Sequence, residues 1–118
     1  MANDIKRGEI YLLDWNPARG SEQAGRRPGL VIQNDIANTV PSYTVTIVCA
    51  VSSKLKGYPS MIRIEPSSAN GLTQVSEVNT AQIMTVQKDR LLDRIGALSV
   101  AETKQVEDKL AYMMSLAL

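Results

Sequence analysis

Apolar residues recur along this chain in short alternating blocks, and only near its end does their period lengthen. Over residues 9–15, Ile10 and Leu12 alternate with Glu9, Tyr11, Leu13 and Trp15, which predicts a strand apolar on one face and mixed on the other. Asn16, Pro17 and Gly20 break it. After a polar stretch, Pro28 hands over abruptly to Leu30, Val31 and Ile32, a buried strand over 29–33. Residues 34–42, with Asn38 and Pro41, read as a turn region. The longest block covers 43–51: Tyr43, Val45, Ile47, Cys49 and Val51 share one face, and Thr44, Thr46, Val48 and Ala50 the other. Both faces are apolar or β-branched, as a central strand requires.

A second polar loop, 52–60, carries Lys54, Lys56, Gly57 and Pro59. It leads to a short strand over 61–65, a turn or one helical turn over 66–71 closed by Gly71, and two further strands over 73–78 and 81–86. Residues 88–94 read as a short helix or turn, with Ile95 returning to the sheet. The pattern then changes. Ser99 and Glu102 form a capping box, and Val106, Leu110, Met113, Met114 and Ala117 recur at helical spacing. Five to seven short strands with one terminal amphipathic helix predict an α+β domain built as a small barrel, the helix laid on a strongly curved sheet. Met113 and Met114 are expected in the core or at a subunit interface.

Composition narrows the chemistry more than the fold. The chain has 118 residues, enough for one domain over 1–118 with a real core, and no internal repeat or linker divides it. Hydrophobic residues make up 44% and aromatic ones 4%, with no Phe, so Val, Ile, Leu and Met must build the core. There is no histidine. That removes His-based zinc sites, Ser-His-Asp and Cys-His nucleophile systems and histidine acid–base pairs. A single Cys49 cannot form an internal disulfide and lies in an apolar run, which reads as a buried hydrophobe in a reducing compartment. No signal peptide or apolar run long enough to span a membrane is present, so a cytoplasmic location is expected. The net charge is +1, but residues 1–63 hold eight Lys or Arg against five Asp or Glu, and 64–118 hold five against seven. Positive charge gathers in the first part, where the polar loop lies.

That loop, Arg19-Gly-Ser-Glu-Gln-Ala-Gly-Arg-Arg-Pro28, is the least scaffold-like stretch. It sets the carboxylate of Glu22 beside the guanidinium groups of Arg26 and Arg27, and Arg27 is held extended by the proline after it. By default the loop charges form a surface ion pair of ~0 to 1 kcal/mol, and Ser52 is a turn residue.

These residues resemble a known family. Arg7-Gly8-Glu9-Ile10-Tyr11, the loop Gly20-Ser-Glu-Gln-Ala-Gly-Arg-Arg-Pro28, Gln33-Asn34-Asp35, and Gln82-Ile83-x-Thr85-Val86-x-Lys88-x-Arg90-Leu91 through Gly96 to Leu98-Ser99 are similar to the MazF/PemK toxins of toxin-antitoxin pairs. The match spans nearly the whole chain, and the Glu-Gln-x-Gly-x-Arg-Pro loop is its most specific part. The resemblance implies an SH3-like barrel with a C-terminal helix, working as a homodimer. It further implies metal-independent, cofactor-free cleavage of single-stranded RNA at short sequences, leaving 2′,3′-cyclic phosphate and 5′-hydroxyl ends. A MazE-like antitoxin would hold the enzyme inactive with its acidic C-terminal segment.

Carried over residue by residue, Arg27 would contact the scissile phosphate, Glu22 would be the candidate base, and Ser52 would stand where the family usually has threonine. Serine keeps the hydroxyl and loses the methyl that restrains its rotamer. Arg19, Ser21, Ser53, Lys54 and Lys56 are candidates for holding the RNA backbone, and Gln23, Arg26, Asn34 and Gln82 for reading bases. Trp15 and Tyr11 could stack bases, though residues of this kind are more often core or interface. Two departures stand out. Ala81 replaces an acidic residue found in many members, and Met84 replaces an arginine; the arginine–aspartate pair of the PemK branch would fall at Asn79 and Ala81. The burden of catalysis therefore falls on Arg27, Glu22 and Ser52. The competing readings are a non-enzymatic poison of the same fold, like the CcdB proteins that trap gyrase, and a lapsed RNA-binding member.

Overall fold

The computed structural model describes residues 4–14 and 25–117. Among these, strands β1 (Glu9–Asp14), β2 (Arg26–Val31), β3 (Val45–Ser52), β4 (Met61–Ile64), β5 (Ser76–Gln87) and β6 (Leu91–Ala97) form one antiparallel sheet in the order β4-β5-β3-β2-β1-β6. A one-turn helix α1 (Asp35–Asn38) and a terminal helix α2 (Val100–Met113) complete it. None of these helices is long and apolar enough to cross a membrane.

Strand β3 lies between β2 and β5, which its two apolar faces demand: Cys49 and Val51 enter one cluster and Val48 the other. The larger cluster joins Ile10, Leu30, Cys49, Val51, Ile64 and Val78 to Leu98 and to Val106 of α2. The opposite face holds Ile5, Tyr11, Leu13, Val31, Val48, Val86 and Leu91. Ser99 caps α2 through the expected box, its hydroxyl accepting from Glu102 N–H while the Glu102 carboxylate accepts from Ser99 N–H. Met113 and Met114 end up exposed rather than in the core of this chain.

The expected barrel takes an unclosed form, for no ladder joins β4 to β6. The loop over 65–72 seals the gap instead. Ala97 N–H donates to Ala69 C=O at 2.9 Å, and the fully buried Asn70 ties the loop to itself, donating to Glu65 C=O and accepting from Ser67 and Leu72 N–H. Gly71 adopts φ +71°, and a Cβ there would lie 2.1 Å from Ile95 C=O; a Cβ on Gly96 would lie 2.4 Å from the Asn70 backbone. The seal depends on backbones meeting where side chains would normally stand.

Several boundaries differ from the pattern-based reading. Strand β2 starts at Arg26, because Pro28 pairs only with Leu12 of β1, and the ladder to β3 begins at Gly29. A proline is tolerated where a strand has one neighbour. The two strands expected over 73–78 and 81–86 are one strand, β5, whose pairing with β3 jumps from Cys49–Ile83 to Ala50–Asn79. Residues 80–82 are skipped, so the alternation restarts there and imitates a break. Within 34–42 the turn contains α1, capped by the Asn34 side chain. Only Lys88–Arg90 is helical before β6 begins at Leu91.

Candidate active site

The β2–β3 register of Gly29–Ala50, Leu30–Cys49 and Val31–Val48, continued by two residues, sets Arg27 opposite Ser52 on one face of the sheet. Both lie just past the last paired rung, where the two strands separate into a cleft of about 270 Å³. Arg27 and Pro28 form one side, and residues 51–54 the next. Leu72, Thr73 and Gln74, which follow the loop that seals the sheet, stand opposite with Ser76. The cleft is therefore framed by three segments that the fold holds independently.

Arg27 is half-buried and faces Leu13 of β1 in the ladder. Ser52 Oγ accepts from Lys54 N–H at 3.0 Å, so its own hydrogen is left to donate into the cleft. Ser53 and Lys54 are exposed at the cleft, and Lys54 brings an ammonium to it. Arg27, Ser52 and Lys54 give this small opening donor-bearing residues, with no carboxylate among the described lining residues. Such a set suits a phosphate, which has oxygens only to accept.

The other expected residues are distributed more widely. Glu22, Arg19, Ser21, Gln23 and Trp15 lie outside the described residues. Arg26 is exposed in β2 opposite Asp14. Lys56 is exposed in the loop after β3, not among the lining residues. Gln82 is exposed in the skipped segment of β5, also outside the lining. Asn34 stands beyond the far end of β2, where its side chain caps α1, and the fold does not bring it to Arg27. Tyr11 is buried, with its hydroxyl donating to Glu9 Oε1 at 3.0 Å; burial and that carboxylate push its pKa up to about 12. It is a core residue. Cys49 is buried as expected, and burial pushes its thiol up to about 12, far from a reactive thiolate.

Residues that the sequence did not single out line the cleft as well: Thr73, Gln74 and Ser76. Glu77 of β5 is the cross-strand partner of Ser52 on the side of β3 away from β2 and is buried at 5% exposure. A glutamate between Ser76 and Val78 within a strand was the available signal. Among the described residues, no three His, Cys, Asp or Glu side chains gather as metal ligands would.

Comparison with known proteins places this geometry. The sequence model of the PemK-like, MazF-like toxin of type II toxin-antitoxin system matches residues 6–114. The endoribonuclease MazF9 of Mycobacterium tuberculosis is 34% identical over 116 residues, covering 95% of this chain and 98% of its own. The endoribonuclease EndoA of Bacillus subtilis is 39% identical over 115 residues, covering 97% and 96%. Among solved structures, MazF from Deinococcus radiodurans shares the fold with a TM-score of 0.75 at 26% identity, over 95% of this chain and 97% of that one. A mycobacterial endoribonuclease in complex with its cognate antitoxin has a TM-score of 0.78 at 22% identity, over 97% and 98%.

Proposed function

Because this chain belongs to the PemK-like, MazF-like toxin family of type II toxin-antitoxin systems, we propose that it is an endoribonuclease that cuts single-stranded RNA and is restrained by a cognate antitoxin. The observation that carries the chemistry is the register that sets Arg27 opposite Ser52 at the mouth of a donor-lined cleft. Messenger RNA is the substrate class, cut at short sequences, and arrest of translation the consequence. The enzyme acts in the cytoplasm.

In this reading the ribose 2′-hydroxyl attacks the adjacent phosphorus in line, the bond from phosphorus to the 5′-oxygen breaks, and a 2′,3′-cyclic phosphate and a 5′-hydroxyl result. Arg27 donates two parallel hydrogen bonds to the phosphate and stays charged throughout, so it stabilises the negative charge that gathers on the non-bridging oxygens. Ser52 donates its hydroxyl hydrogen to the same phosphate and orients it. Lys54 holds the neighbouring backbone phosphate, and its contribution falls with salt. Glu22 takes the 2′-hydroxyl proton, and the departing 5′-oxygen takes a proton from water. Two copies form the working unit, and the exposed Met113 and Met114 of α2 supply apolar surface that a second copy would cover.

The test is cleavage of a long single-stranded RNA in excess EDTA by the parent protein and by Arg27→Ala, with the new ends assayed for 5′-hydroxyl. Loss of one such donor costs about 10² to 10³ in rate. Cleavage lost on that scale, with folding retained, is the expected result. A parent protein that cuts no RNA but binds it, or binds gyrase, overturns the enzyme reading.

A further inference from the structure

The loop over 53–60 leaves β3 at the cleft and returns as β4, and it is tethered by β5. Both carboxylate oxygens of Glu77 are used: Oε1 accepts from Lys56 N–H at 2.7 Å and Oε2 from Gly57 N–H at 3.0 Å. Gly57 has φ +65°, a conformation that turns successive N–H groups toward one anion. The anion here is built into the chain. Further along β5, Asn79 Oδ1 accepts from the Ser60 hydroxyl, and Thr80 donates to Ser60 C=O through its N–H and its hydroxyl. The segment over 77–80 therefore grips the loop at its middle and at its end, while Ser52 Oγ grips its beginning through Lys54 N–H.

A buried carboxylate is costly unless its hydrogen bonds are charge-assisted and complete, and two backbone donors at these distances meet that condition. It is also badly placed to be a base. It is 5% exposed, does not line the cleft, and has both oxygens engaged on the loop. What it can do is fix the backbone that carries Ser53 and Lys54. Water could satisfy the exposed amides of Lys56 and Gly57 equally well, but it would leave the loop free to move. A displacement of about 1 Å in a positioning element is enough to cost ~10²-fold.

We propose that Glu77 is a positioning residue for RNA cleavage, its carboxylate clamping the backbone of Lys56 and Gly57 so that the Ser52–Lys54 side of the cleft meets the scissile region in register; this rests on the ribonuclease reading above. Glu77→Gln keeps the shape and one acceptor but turns an amide N–H₂ toward the second backbone donor, and Glu77→Ala removes both acceptors. Three measurements on the full chain test it: hydrogen exchange at the Lys56 and Gly57 amides, kcat and KM for a single-stranded RNA, and a double-mutant cycle with Lys54→Ala. The expected result is faster exchange confined to the loop. It is accompanied by a fall in kcat/KM of ~10-fold or more, larger for Ala than for Gln, and by a Lys54→Ala effect that shrinks once Glu77 is gone. Arg27→Ala should keep its full effect in the same background.

If exchange accelerates and cleavage kinetics do not change, Glu77 serves the fold alone and the proposal is overturned. The same follows if both amides stay protected, since the carboxylate then does not hold the loop. A parent protein that cuts no RNA overturns the function and this inference with it, whereas a parent that cuts as fast as both variants overturns only the inference.

Discussion

Gly71 and Gly57 both have left-handed backbones, at φ +71° and +65°, but they differ in what surrounds them. A Cβ added at Gly57 meets nothing within 4 Å, whereas one added at Gly71 would lie 2.1 Å from Ile95 C=O and 2.9 Å from its carbonyl carbon. The pair therefore separates conformational cost from packing cost. An alanine in the left-handed region costs roughly 1–2 kcal/mol. The loss of unfolded-state freedom on replacing glycine returns about 0.4–1 kcal/mol of that. Gly57→Ala should consequently lose about 0–1.5 kcal/mol. Gly71→Ala carries the same terms and, in addition, about 1–3 kcal/mol of overpacking against strand backbone that cannot rotate aside. Its expected loss is about 1–4.5 kcal/mol.

With an unfolding entropy of about 2.1 cal/mol/K per residue, the 118-residue chain has ~0.25 kcal/mol/K, so 1 kcal/mol moves Tm by ~4 °C. Calorimetry should then find Gly57→Ala ~0–6 °C below the parent and Gly71→Ala ~4–18 °C below it, the larger of the two losses. RNA cleavage provides the functional half of the comparison, because Leu72, Thr73 and Gln74 follow Gly71 directly and form one wall of the cleft. Well below its Tm, Gly71→Ala should still show a raised KM. Equal losses of Tm in the two variants would refute the reasoning, since the contact between the 65–72 loop and β6 would then bear none of the load assigned to it.

Two further outcomes follow from local chemistry. The Tyr11 hydroxyl is pushed from 10.0 to about 12 by burial and by Glu9, so the folded state resists its ionisation. Its contribution to stability is full below pH 10 and is lost as pH rises from 10 through about 12; chemical denaturation of Tyr11→Phe should therefore fall less steeply across that window than the parent. Ser99→Ala removes the acceptor for Glu102 N–H at the start of α2 and should cost about 0.5–2 kcal/mol, read as a Tm lowered by ~2–8 °C with cleavage unchanged at 25 °C.

The legible parts of this fold were those with a local cause. The capping box of α2 is a pattern of two side chains three positions apart in sequence, and it forms as written. The two apolar faces of residues 43–51 announced a central strand because a strand with neighbours on both sides has no wet face. What escaped the pattern is non-local. The continuity of β5 was hidden because the three residues it skips against β3 reset the alternation, and the start of β2 was hidden because Pro28 is acceptable only given which neighbour it lacks. Ser52 and Arg27, 25 positions apart, become neighbours only through the β2–β3 register. The resemblance supplied their roles without that register, and it equally supplied Asn34, which the same strand carries to the opposite end of the sheet.

The departures from the family pattern also acquire a physical meaning. Ala81 and Met84 are exposed in β5, from the skipped segment onward, and neither lines the cleft. Asn79, where the PemK branch would place one member of its acid–base pair, has its side-chain oxygen committed to the Ser60 hydroxyl and the Ala81 N–H. With Glu77 and Thr80 it makes 77–80 a tether for the loop over 53–60. If the proposal for Glu77 holds, this chain has given to positioning a strand segment that could otherwise carry proton transfer. The two uses conflict, because a group that holds a backbone donor in place cannot also exchange protons with a ribose. In the proposed mechanism, charge stabilisation by Arg27, orientation by Ser52 and rigidity supplied by Glu77 would then carry more of the rate, and proton transfer would be left to Glu22.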